Sequence, residues 1–406
     1  MLRRHFIVFV LLISFFGCKK ETINFAEYSS LKIFENNHEP KQVQLTKSLN
    51  GNLLVTVCSA DNFAGVVFSA ELILLNNKGE LIKNITFSDT AYQYVNAVPA
   101  SDGGFFLVAS TAHENYFSVK KINEVGNVIY TRNIVLSSGE NKNSIGLCNC
   151  PDGNYLIIYQ AVGNGYYVSK FDRGGFVIFN IKLPNPVSIH QGTGLNYGEK
   201  YVNIYQPADS LIVLQGVTYD QYNETIENCF IRELHGSMTN KWFSSNYDPT
   251  HFEIGSGFGL STNQQLIFFG TISDHAINEY YGNPIARIYN SSGNLNQQII
   301  FPQVDGTNTL ILKTISTPDG GFLMVGSNNQ SFTNDVVSNN HLILTKLNND
   351  LSIAWNKTLS TYYPSKGFDA VYLNDGTIGI AGLIKDNLST NRILYLHMDS
   401  NGKLIQ

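Results

Sequence analysis

Apolar residues along this chain come in short runs, each closed by a cluster of Asp, Asn, Gly or Ser. The runs are brief and rich in β-branched and aromatic residues, a pattern that predicts strands rather than helices. Two kinds of turn punctuate them. The first stands directly before an apolar strand: Asn50-Gly51, Asp102-Gly103, Asp152-Gly153, Asp209-Ser210, Asn263-Gln264, Asp319-Gly320 and Asp375-Gly376. All seven lead residues are Asp or Asn, and they fall 52, 50, 57, 54, 56 and 56 residues apart. The second follows a later strand, with a polar residue and usually Gly three positions on. Its pairs are Asn76/Gly79, Asn123/Gly126, Asp172/Gly175, His235/Met238, Asn290/Gly293, Asn348/Leu351 and Asp399/Gly402. Met238 and Leu351 depart from the rule, which predicts turns of another kind at those two places.

Both registers have a physical cause. Asp and Asn tolerate left-handed backbone angles and bond their own backbone, and Gly takes positive φ at little cost. Each repeat of about 50 residues therefore holds two tight hairpins and four strands, a to d. In the sixth repeat they are expected at 309–317, 322–327, 341–347 and 352–359. Seven such units predict an all-β fold, a seven-bladed β-propeller of four-stranded antiparallel blades spanning 38–406, because radial closure buries each blade on its neighbours. The first strand a is expected at 41–48 and a truncated last strand d at 403–406. The segment 18–37 carries Phe25, Tyr28, Leu31 and Ile33. It is either a tether or a strand that returns to complete the last blade.

The run Ser316-Thr317-Pro318-Asp319-Gly320-Gly321-Phe322-Leu323-Met324-Val325-Gly326, followed by Ile343-Leu344-Thr345-Lys346-Leu347-Asn348 and Trp355, resembles the repeat of secreted bacterial β-propellers. In that loose family a Thr-x-Asp-Gly-Gly-aromatic strand precedes one ending in Lys-Leu-Asp and then a Trp-containing strand. The likeness is clearest in the second, third, sixth and seventh repeats. It implies a fold and no one activity. Trp242 and Trp355 share their place in strand d with Tyr130 and Phe179, and packing between blades accounts for them.

The N-terminus reads differently. Met1-Leu2-Arg3-Arg4-His5 is basic, and the apolar run from Phe6 to Phe16 is far shorter than the roughly 20 residues a spanning helix needs. That is the pattern of a secretory signal over 1–17. Ser14-Phe15-Phe16-Gly17-Cys18 resembles a lipobox. The resemblance implies cleavage before Cys18 and acylation of its thiol, so that lipid alone attaches the chain to a membrane. The expected location is the outer membrane, on the cell surface or the periplasmic side.

Composition narrows the function. Removing Arg3 and Arg4 with the signal takes the formal charge from −5 to −7, and a mildly acidic chain lacks the basic footprint of a nucleic-acid binder. Cys58, Cys148, Cys150 and Cys229 read as buried thiols or one longer-range disulfide. No metal or cofactor motif is present. Because strands within a blade alternate in direction, the tight turns gather at one end and the long b–c and d–a connections at the other. That loop end carries the candidate binding residues Tyr219, Tyr222, His251, His275, Tyr280, Tyr281, Tyr362 and Tyr363, residue types that bind well when loops are held by a rigid scaffold. It also offers carboxylates, Asp220, Glu224, Asp248, Glu253, Asp274, Glu279 and Asp305, which nothing in the sequence pairs as glycoside hydrolysis requires. The expected function is a non-catalytic, lipid-anchored interaction module that docks an envelope protein. The alternatives are a carbohydrate-binding surface lipoprotein and, third, a glycan-cleaving enzyme.

Overall fold

A computed structural model describes residues 20–23, 31–34, 40–60, 68–86, 92–111, 116–135, 142–161, 165–183, 197–208, 211–220, 226–235, 240–245, 251–274, 282–328, 340–361, 364–385 and 390–405. The described residues form an all-β fold, with a short 3-10 turn at Val304–Gly306. The first repeat is an antiparallel meander of strands a to d at Pro40–Lys47, Leu53–Ala60, Phe68–Leu75 and Leu81–Thr86. The second, third and fourth repeats form four-stranded sheets of the same order. The fifth and sixth are joined into one sheet by a single residue pair, Gly282 with Thr309. In the sixth, the strands are Thr309–Ser316, Phe322–Asn328, Leu342–Leu347 and Ile353–Thr361.

The described turns of both kinds are built alike. In Ser48–Asn52, for example, the first N–H donates to the fifth carbonyl and the fourth N–H to the first carbonyl. Such three-residue hairpin loops need a left-handed residue at the fourth position. Gly51 (φ +94°) and Gly126 (φ +77°) supply it. The Leu351 turn, expected to differ, makes the same two bonds at 2.9 and 3.0 Å, and Leu351 itself adopts φ +66°. The Met238 turn lies outside the described residues.

A second constraint falls on the glycine of the c–d turn. A Cβ on Gly175 would come within 2.9 Å of the Tyr130 ring, one on Gly402 within 2.8 Å of Trp355, and one on Gly293 would run into Trp242. Each aromatic belongs to strand d of the preceding repeat and lies over the next repeat's turn. The fifth repeat has the exposed Gln297 at that place. In the sixth repeat's turn Leu351 stands at the glycine's place and is buried with Phe301, Val304 and Leu347.

Strands b and c bury residues on both faces, as in Phe322–Asn328 and Leu342–Leu347. Neither face is covered from within its own repeat. Leu54, Leu72 and Leu74 of the first repeat pack with Phe105 and Leu107 of the second, and Val55 and Ile73 of the first pack with Leu383 and Tyr395 of the seventh. The last repeat thus lies against the first.

The ends of the chain meet in the seventh repeat, whose first three strands are Ser365–Tyr372, Ile378–Lys385 and Asn391–Met398. Leu404 bridges Met398, and the Ile405 N–H donates to the His397 carbonyl. Leu31 then pairs with Leu396, and the antiparallel register runs on to Phe34 against Ile393. The fourth strand is therefore built from the C-terminus and an N-terminal segment placed end to end. A further strand, Lys20–Ile23, runs parallel along the outer edge of Ile353–Thr361.

Every strand a is broken by a bulge near the loop end, at Tyr92/Tyr94, Ser144/Gly146 and Gly367/Asp369 among others. Bulges sharpen strand twist. Side chains tie each of these inner strands to a neighbouring repeat where backbone pairing is missing. The Gln44 carboxamide donates to the Ala97 carbonyl at 3.4 Å and accepts its N–H at 3.2 Å. Thr271 Oγ1 accepts the Ile311 N–H at 2.9 Å.

The turn chemistry predicts opposite outcomes for two substitutions. Gln264 is exposed and held at φ +59°, so Gln264→Gly should raise unfolding free energy by about 1 kcal/mol by removing left-handed strain. Leu351→Gly relieves the same strain but empties a buried site and should lower stability by about 2 kcal/mol. Chemical denaturation of the two variants against wild type measures both.

Candidate functional site

The two ends of the strands differ in chemistry. At the tight-turn end the leading Asp of the a–b turn is held by a lysine from strand c. Lys121 pairs with Asp102, Lys170 with Asp152 at 2.6 Å and Lys346 with Asp319 at 2.8 Å. The Lys346 ammonium is buried and also donates to the Leu347 carbonyl at 2.8 Å. Burial pushes the Asp319 carboxyl up, but bonds from Lys346, Thr317 and the Gly321 N–H outweigh it and hold the group down at about 2. The Thr, Asp, Gly-Gly and Lys of the repeat are therefore one ion-paired turn, a structural device rather than a binding motif. Glu124 performs a related task between repeats, accepting from Ser48 Oγ at 2.8 Å, Asn50 Nδ2 at 3.1 Å and the Gly104 N–H at 2.8 Å.

Two shallow grooves open beside these turns. One, of about 330 Å³, lies between the first and second repeats and is lined by Asn50, Asp102, Lys121, Glu124, Val125 and Ile129. The other, of about 520 Å³, lies between the second and third, with Arg132, Val135, Phe176 and Val177 on its walls. Arg132 donates to the Gly174 carbonyl at 2.7 Å and stands 3.8 Å over the Phe176 ring. Sequence reasoning passed over this apolar margin. The available signal was the pair of apolar residues that opens several outer strands, Leu81-Ile82, Val128-Ile129 and Val177-Ile178.

The loop end is described mainly through its strand termini. His251 opens strand a of the fifth repeat opposite Asp274 and is half-buried. Tyr219 stands near the end of strand b of the fourth, opposite Gly198. Tyr222, His275, Tyr280, Tyr281, Tyr362, Tyr363 and Cys18 lie outside the described residues. One expected loop-end carboxylate is not available there: Glu253 is buried and bonded through both oxygens to Arg287, whose Nε donates to Gln298 at 2.7 Å. Its position in an inner strand, facing the next strand c, turns it inward.

A second buried carboxylate serves the scaffold. Asp369 accepts the Leu45 N–H of the first repeat at 3.0 Å and the Ala370 N–H at 2.9 Å, with Lys313 Nζ at 3.6 Å. Burial raises its carboxyl above the usual carboxylate range despite these partners. Cys58 and Cys148 are free thiols, and burial pushes Cys58 up to about 11. Among the described residues no group of three His, Cys, Asp or Glu is placed to hold a metal ion.

No family model matches the chain, and no curated protein matches it. Solved structures match across nearly its whole length. A polysaccharide lyase of family PL25, an ulvan lyase, superposes with a TM-score of 0.57 at 7% identity, covering 92% of this chain and 95% of that one. The polysaccharide lyase Uly1 gives 0.52 at 9%, covering 90% and 91%. The Dos1 propeller gives 0.50 at 10%, covering 93% and 96%. At such identity the likeness concerns the fold, and the fold is an all-β propeller of repeated four-stranded antiparallel sheets.

The two carboxylates predict distinct acid behaviour. Asp319 is depressed in the folded state, so its contribution is present above its unfolded value of ~4 and lost as pH falls toward about 2. The stability gap between wild type and Asp319→Asn should be full above that window and closed below it. Asp369→Ala strands the Leu45 N–H and should cost about 3 kcal/mol at neutral pH. Denaturant unfolding as a function of pH reads both.

Proposed function

We infer that this chain is a seven-bladed β-propeller, held on the outer membrane through an acylated Cys18, that works as a non-catalytic interaction module and docks an envelope protein with its loop end. The blade count rests on the seven turn registers, the four-stranded meanders and the core shared by the seventh and first repeats. Leu31–Phe34 acts as the closing strand.

One observation carries the functional reading: among the described connections, those at the tight-turn end are uniform and those at the other end vary. The described tight turns share one length and one bonding pattern. The connections at the other end range from the three residues between Ala161 and Gly165 to the fourteen between Lys182 and Tyr197. A rigid scaffold with one uniform and one diversified end devotes the diversified end to recognition. Tyr219, Tyr222, His251, His275, Tyr280, Tyr281, Tyr362 and Tyr363 belong to those connections or their margins. Large amphipathic side chains of this kind anchor protein interfaces. The adjacent tyrosines Tyr280-Tyr281 and Tyr362-Tyr363 also suit stacking on sugar rings, which supports the second reading, a carbohydrate binder.

The test is affinity capture of the tagged full chain from gently solubilised envelopes, beside variants Tyr280→Ala/Tyr281→Ala and Tyr362→Ala/Tyr363→Ala. A stoichiometric protein retained by wild type and lost by at least one variant is expected. No stoichiometric partner, with glycan-array binding that the same variants abolish, would replace the first reading with the second.

A further inference from the structure

The groove of about 520 Å³ between the second and third repeats runs beside the outermost strand of the second, Val128–Ile134. Arg132 reaches from that strand to the third repeat, where the Gly174 carbonyl accepts from its Nε at 2.7 Å and the Phe176 ring lies 3.8 Å beneath it. Among the described residues its two terminal nitrogens make no hydrogen bond. The guanidinium is thus fixed in place with its carboxylate-matching fork of donors unused.

The third repeat adds a second cation. Tyr159 stacks edge-on at 5.0 Å against Phe117 of the second repeat and donates to Asn180 at 3.1 Å, so Asn180 is on the side facing that repeat. Lys182, two residues on in the same strand, shares that side and is exposed. Neither outermost strand, Val128–Ile134 or Val177–Lys182, contains a carboxylate, in a chain whose formal charge is −5. Val135, Phe176, Val177 and Ile178 line the same margin and are exposed.

The strand edge is open as well. Among the described residues Val128–Ile134 pairs with Phe117–Ile122 and with no other strand. The sixth repeat shows that such an edge can take another strand, because Lys20–Ile23 pairs in parallel along its outermost strand.

We propose that this seam binds an extended acidic segment of another protein, which adds to Val128–Ile134 as a further strand and sets carboxylates against Arg132 and Lys182. In such strand addition the main-chain bonds supply affinity and the side-chain surfaces beside the edge supply specificity. A second copy's own edge is a poor occupant, since it would set cation against cation. An acidic polysaccharide would meet the cations but leave the backbone donors and acceptors of the edge without a ladder. The site lies apart from the loop end and depends on neither the docking nor the anchor inferred above.

The probes are three eight-residue peptides: alternating valine and glutamate, alternating valine and lysine, and the acidic sequence interrupted by a central proline. Each is titrated against the full chain by fluorescence anisotropy. The acidic peptide should bind about ten-fold more tightly than the lysine peptide, as two exposed ion pairs allow. The proline peptide should lose binding, because proline removes a ladder donor. The acidic peptide should also slow hydrogen exchange at outward-facing amides of Val128–Ile134. Arg132→Glu and Lys182→Glu should each erase the preference for the acidic peptide, and Lys182→Glu changes only an exposed residue. No binding of the acidic peptide at millimolar concentration, equal affinity for the lysine or proline peptide, or slowed exchange only elsewhere would overturn the proposal. An oligogalacturonate that binds more tightly than the acidic peptide, in an Arg132-dependent way, would overturn it in favour of a polysaccharide.

Discussion

A four-stranded sheet with apolar residues on both faces cannot bury either of them by itself. In this chain strands b and c are buried along their whole length in the sixth repeat, and their cover comes from the repeats on either side. Leu323, Val325 and Leu342 are sealed by Ile378, Ile380 and Leu394 of the seventh. Such stacking has no natural end. An open array would leave two outer faces in water, at a cost of about 25 cal/mol per Å² of apolar surface. Packing the last repeat on the first removes both faces at once, and the rest of the structure follows from it.

The meeting of the chain ends is one consequence. Among the described residues the C-terminal segment extends the fourth strand as far as Ile405. Leu31 continues the register against Leu396 where that strand stops, so the outermost strand joins residues from both ends of the chain. The polar ties between inner strands are another. Beyond the Gly282–Thr309 pair, the inner strands form no backbone ladder with a neighbouring repeat among the described residues, and Gln44, Thr271 and Asp369 supply donors and acceptors from side chains. An amide N–H left unpaired in that interior would cost more than any such bond contributes.

Closure also divides the labour of the ends. Uniform turns let the repeats stack in a common register, and ion pairs such as Lys346–Asp319 and Lys170–Asp152 brace them. Connections on the opposite side carry no such duty and are free to vary. The ulvan lyase and the Dos1 propeller, which share the fold at 7% and 10% identity, illustrate how little of the scaffold depends on any one sequence.

The repeats, the strands and the turn that opens each hairpin are legible from residue types alone, because a three-residue loop demands particular residues within five positions of chain. The sequence also held the motif Thr317, Asp319, Gly321 and Lys346, though not its meaning as a braced turn. What escaped it were pairings with no local signature. Leu351 looked like a broken turn until its burial with Phe301 and Val304 explained it. Glu253 looked like a loop carboxylate until Arg287 claimed it from 34 residues away. Asp369 reaches Leu45 across 324 residues, and the two chain ends share one strand. These pairings come from the folded arrangement, because turn preference is set by neighbours along the chain, whereas burial and charge pairing are set by whatever closure brings alongside.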